Sequence, residues 1–83
     1  MTDPVVVEVR FEADGSVAPL AFVLRGRRHR VASLRRRGEV EGQQRFLVMT
    51  PEEKVFELTY APEQGTWQVR ERTARGRGKG RRA

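Results

Sequence analysis

The sequence contains no cysteine, one histidine, two lysines and only six aromatic residues in 83. Without cysteine, neither a disulfide framework nor a thiolate metal site can support folding, which fits a reducing compartment. With one histidine and no carboxylates spaced around it, no metal-ligating pattern forms, and His29 reads as a packed side chain. No apolar run approaches the roughly 20 residues that cross a bilayer as a helix. The N-terminus lacks a basic stretch ahead of its valines and meets Glu8 early, so it does not read as a signal peptide. The expectation is a soluble cytoplasmic protein with no membrane partner. No Ser-His-Asp order, phosphate-loop or dinucleotide fingerprint is present. A non-enzyme without cofactor or metal is therefore expected.

Basic charge is abundant and unevenly placed. Seventeen Lys and Arg face eleven Asp and Glu. Five of the cations, Arg75, Arg77, Lys79, Arg81 and Arg82, lie in a Gly-alternating, acid-free tail over 73–83. That composition buries too little apolar area to offset ordering entropy, so a disordered tail is expected after a domain spanning 1–72. The remaining twelve cations nearly balance the eleven acids, but seven of them fall between Arg25 and Arg37, where there is no acid. Such polarisation steers a polyanion.

The apolar pattern has a period of two almost throughout, which predicts strands. Residues 5–12 place Val5, Val7, Val9 and Phe11 on one face, and Ala13-Asp14-Gly15-Ser16 reads as a turn. Pro19 sits where a strand entrance would tolerate a missing N–H. Residues 20–34 read as a hairpin closed by a type II′ turn at Gly26-Arg27. That closure sets Leu24 opposite His29 and Phe22 opposite Val31. Leu20, Phe22, Leu24, His29 and Val31 then face the core, while Arg25, Arg28 and Arg30 share the outer face and Arg27 caps the turn.

Residues 34–42, with two glycines and no clear period, read as a loop, or a strand end running into one, in which Arg36 or Arg37 can pair with Glu39 or Glu41. Residues 43–50 fit a central strand. Thr50-Pro51-Glu52-Glu53 resembles a helix start, but the period-two run that follows allows one turn at most. The last two strands pair Tyr60 with Trp67 and Leu58 with Val69, which brings Glu57 opposite Arg70 on the outer face. The expected fold is all-β: about six antiparallel strands in a partly closed SH3-like barrel or strongly curved sheet.

The stretch F-V-L-R-G-R-R-H-R-V, followed by F-E-L and G-T-W-Q-V, resembles an uncharacterised family of small bacterial β-domains. Their hairpin reads F-x-W-R-G-R-R-Y-R-V. The matching positions are Phe22, Arg25, Gly26, Arg27, Arg28, Arg30, Val31, Phe56, Glu57, Leu58, Gly65 and Trp67. Leu24 stands where that family has an aromatic and His29 where it has tyrosine, and the tryptophans expected between the hairpin and Phe46 are missing. The family's genes sometimes accompany lesion-bypass (Y-family) polymerase genes, so the resemblance implies a setting in DNA maintenance.

Arginine's planar fork binds phosphate bidentately. The candidate nucleic-acid-binding residues are accordingly Arg25, Arg27, Arg28, Arg30, Arg35, Arg36 and Arg37, with Arg75, Arg77, Lys79, Arg81 and Arg82 of the tail. All six aromatic residues fall on inward faces, which favours phosphate-dominated, weakly sequence-selective binding of DNA or RNA over base stacking. The alternative is a protein-interaction module that docks a polymerase or repair partner through a β edge or basic groove. A monomer or weak homodimer is expected.

Overall fold

The computed structural model describes residues 3–72, with side chains placed from Val5 onward. They form seven strands: β1 (Asp3–Phe11), β2 (Val17–Leu24), β3 (Arg27–Arg30), β4 (Ser33–Val40), β5 (Gln43–Met49), β6 (Val55–Ala61) and β7 (Thr66–Arg72). There is no helix among the described residues. The tail, with its five cations, lies outside them.

All pairings are antiparallel, in the sheet order β3-β2-β1-β7-β6-β5-β4. This is a meander rolled up on itself. β1 pairs with β7 through Asp3, Pro4 and Val5, which leaves β3 and β4 as the two edges. Counting alternating directions round the sheet shows that β3 and β4 point the same way. The chain therefore runs from one into the other without reversing, through Val31 and Ala32. Val31 N–H donates to Leu20 O on β2 and Ala32 N–H donates to Met49 O on β5. Two consecutive residues thus bridge the two ends of one sheet and curl it into a half-barrel.

Inside the curl, Phe22, Phe46, Val48, Phe56, Leu58 and Val69 are buried, with Val5, Val7, Leu24, Val31 and Trp67 packed against them. Phe22 meets Phe56 edge-on at 4.9 Å, and Trp67 lies 4.9 Å from Tyr60 and 5.6 Å from Phe46. The expected register of β6 with β7 is the one observed, including Tyr60 opposite Trp67 and Glu57 opposite Arg70. The Asp14 turn also forms as expected. Its Oδ1 accepts from Ser16 N–H and Ser16 Oγ–H, and Gly15 has φ 87°.

Four expectations are corrected. The β2–β3 turn is Arg25-Gly26 rather than Gly26-Arg27, with positive φ at both residues (53° and 78°), the type I′ pattern. Leu24 then faces Arg27, and Phe22 faces His29. Moving the turn by one residue moves each partner by two, so Phe22, Leu24 and His29 stay on the inner face and Arg28 and Arg30 on the outer one. Arg25, however, leaves the outer face for the turn, and Arg27 becomes the first residue of β3 rather than a cap.

The second correction is the extent of β4, a full strand to Val40 where a loop, or a strand end running into one, is expected. It ends in a second turn of the same kind at Glu41-Gly42, with φ 53° and 82°. All but its first residue are exposed, so no apolar alternation marks it. Arg36 and Arg37 form no ion pair with Glu39 or Glu41 among the described residues.

The third correction is a bulge. The β1–β2 register slips after Glu8, where Ala21 is its partner, to Val9 opposite Pro19, which leaves Leu20 as the extra residue. Leu20 is consequently 43% exposed, and Pro19 is buried within β2 rather than at its entrance. Phe11 is the fourth. β7 pairs with β1 only as far as Val5, so the end of the β1–β2 hairpin lacks a covering neighbour and Phe11 is 74% exposed.

Phe22 is fully buried, so Phe22→Ala should cost about 3–5 kcal/mol. A domain this small holds roughly 5 kcal/mol in total. The variant should be largely unfolded, with Trp67 emission shifted to the red; native-like emission and melting would contradict the core assignment. Glu41 adopts a left-handed conformation that asparagine tolerates better. Glu41→Asn should therefore raise stability by about 0.5 kcal/mol or more in urea unfolding.

Candidate nucleic-acid interface

Because β3 and β4 are end to end, Arg27, Arg28, Arg30, Arg35, Arg36 and Arg37 lie along one bent, exposed run at the sheet's two edges. They do not share one face. Arg28 and Arg30 lie outward, opposite Val23 and Ala21. Arg27 lies on the inner side with His29, at a depression of about 240 Å³ that Arg25, Lys54, Phe56 and Glu71 also line. His29 stacks on Phe22 at 5.1 Å and 17°, and its ring lies 5.5 Å from Phe56.

On β4 the register slips between Leu34 and Arg36, which leaves Arg35 between pairs; its Nη1 lies 3.7 Å from Met49 Sδ. Arg36 pairs with Leu47 on the outer face. Arg37 pairs with Phe46 and holds its guanidinium over that ring, 5.8 Å from the centroid.

The site residues differ in how much of their charge is already engaged. Arg28 is committed: its Nε and Nη2 donate to the two carboxylate oxygens of Glu8 at 2.8 and 3.0 Å. Arg27, Arg30 and Arg36 have no carboxylate at ion-pairing distance among the described residues. The Glu52 carboxyl is held below its ordinary value chiefly by its own backbone N–H and by Thr50, with smaller contributions from Arg27 and His29.

Three further arginines were not among the sequence candidates. Arg45, Arg70 and Arg72 surround Glu57 on the outer face, at 3.8, 2.9 and 3.9 Å. Strand parity was the available signal. Arg45 alternates with buried Phe46, and Arg70 and Arg72 flank inward Glu71. The Glu57–Arg70 pair was expected from sequence; that one carboxylate serves three arginines was not.

Among the described residues, no group of three His, Cys, Asp or Glu could hold a metal ion, and no helix is long and apolar enough to cross a membrane. Five of the six aromatic rings are buried or half-buried, and Phe11 alone is exposed. Comparison of the chain with protein-family models, curated proteins and solved structures finds no match.

The Arg28 hydrogen bond holds the Glu8 carboxyl below the ordinary 4.5. A depressed carboxylate stabilises the fold above its unfolded value, and that contribution is lost as pH falls through the folded value. The melting-temperature difference between wild type and Glu8→Gln should thus be constant at neutral pH and shrink below about pH 4.5. A difference that persists unchanged into strong acid would contradict the pairing.

Proposed function

We propose that this protein is a non-catalytic nucleic-acid-binding domain that engages the phosphate backbone with little sequence selectivity. The observation that carries this reading is the β3–β4 run. Residues 27–37 hold six arginines and no acid along one exposed, nearly continuous edge. At about 3.3 Å per residue, the run extends over roughly 30 Å. Arg27, Arg30 and Arg36 are open to a phosphate, Arg35 and Arg37 touch only uncharged groups at close range, and Arg28 needs Glu8 displaced first. Weak selectivity follows from the rings, since the core retains all but Phe11. The family resemblance supports a setting in DNA repair or lesion bypass. The basic tail, outside the described residues, adds five cations to the same polyanion.

A second reading has its own support. β4 is an eight-residue edge strand with its outward backbone unpaired, the kind of edge to which an extended segment of a polymerase or repair protein adds as a further strand. Nucleic acid of any sequence should compete for the first function, and only a particular protein for the second.

Salt dependence tests the first reading directly. Each phosphate contact removed lowers the magnitude of the log–log salt slope by about 0.7–0.9. Arg27→Gln with Arg30→Gln should lower it by about 1.4–1.8, equally for two unrelated oligonucleotides. Deleting 73–83 should lower it by up to about 4, with the melting temperature unchanged. An unaltered slope in the double variant would remove the run from the binding surface.

A further inference from the structure

The β3–β4 run leaves the outer-face arginines of β5 and β7 unused. Arg36, Leu47, Glu57 and Arg70 stand directly opposite one another across β4, β5, β6 and β7. Arg45 and Arg72 flank Glu57 on its two neighbouring strands. In the next row Gly38 faces Arg45, and a Cβ at Gly38 would meet nothing within 4 Å. The missing side chain leaves a groove of about 210 Å³ over Leu47, lined by Arg36, Arg45, Glu57 and Arg72 among others.

Glu57 is the only carboxylate in that lining, and its side chain is 15% exposed. Its Oε1 accepts a close hydrogen bond from Arg70 Nη2. At 3.8 and 3.9 Å, Arg45 and Arg72 are drawn in by charge but lie beyond hydrogen-bonding distance, so neither fork is filled by Glu57. Arg36 adds a third cation with no carboxylate partner. Three arginines against one carboxylate leave about two positive charges facing the groove, a crowd that an anion would relieve.

We propose that this groove binds a phosphomonoester. A phosphodiester brings one negative charge, whereas a terminal phosphate brings about 1.5–2 and three acceptor oxygens, matching both the excess charge and the open forks. Glu57 is a positioning residue that gathers the guanidinium groups around the groove. Arg36 belongs to both surfaces, so a strand lying along β3–β4 can end with its terminal phosphate in the groove. That source rests on the function proposed above; a small phosphorylated molecule offers the same chemistry without it.

The test uses full-length protein and two pairs of single-stranded oligonucleotides. One pair differs only in a 5′-phosphate against a 5′-hydroxyl, the other only in a 3′-phosphate against a 3′-hydroxyl. Fluorescence anisotropy gives the affinities, and phenyl phosphate serves as the small probe in nitrogen–proton NMR of the arginine side chains. A terminal phosphate at one end should tighten binding about tenfold, as one added charged hydrogen-bond set does. The Arg45→Gln, Arg72→Gln double variant should lose that ratio. Arg27→Gln with Arg30→Gln should weaken all four oligonucleotides by a common factor and keep the ratio. Phenyl phosphate should shift the Arg45 and Arg72 resonances saturably, while dimethyl phosphate should not.

If phenyl phosphate binds and no oligonucleotide does, the groove stands, its source is a small phosphorylated molecule, and the nucleic-acid reading falls. Equal affinities for all four oligonucleotides, with no response to phenyl phosphate, would overturn the groove and leave the nucleic-acid reading intact.

Discussion

The fold depends on a two-residue crossing. Val31 hydrogen-bonds to β2 and Ala32 to β5, strands that stand four places apart in sheet order. A flat seven-stranded sheet could not make both bonds. The curl they require brings Phe22 from β2 against Phe56 from β6, and buries a core that neither half of the sheet could cover alone. It also decides what remains open. Because the chain passes straight through the crossing, β3 and β4 cannot pair with each other, and the barrel keeps a seam with arginine on both sides. Charged edges deter strand-to-strand aggregation, so part of this arginine has a purely structural use.

Sequence revealed most where both faces of a strand carried information. The β6–β7 register was readable because one register satisfied Tyr60 with Trp67, Leu58 with Val69 and Glu57 with Arg70 together. The β2–β3 faces were readable, but their register was not. Gly26 suits either position of a tight turn, and nothing local announced that Arg25 would accept a left-handed backbone. β4 was invisible because a strand exposed on both faces has no apolar period. Phe11 and Leu20 followed the expected alternation only until a bulge and the limit of β7 coverage intervened, and both features depend on partners distant in sequence.

The candidate site was legible as composition and only partly as geometry. The acid-free block from Arg25 to Arg37 could be counted, but its spread over two edges and both faces follows from the crossing. Partners in space also sort these arginines differently from their order in the chain. Glu8, from a strand twenty residues earlier, engages Arg28 fully. Glu57 collects three arginines that the sequence scatters over β5 and β7. The polarised charge is real at both levels, yet only the folded chain separates engaged guanidinium groups from open ones.

The most direct measurement of the central claim is NMR mapping of full-length protein with two unrelated single-stranded oligonucleotides bearing hydroxyl ends. Saturable shifts concentrated between Arg27 and Arg37 are expected, with the same footprint for both sequences. Shifts confined to residues elsewhere in the sheet, or no saturable response to either oligonucleotide, would contradict it.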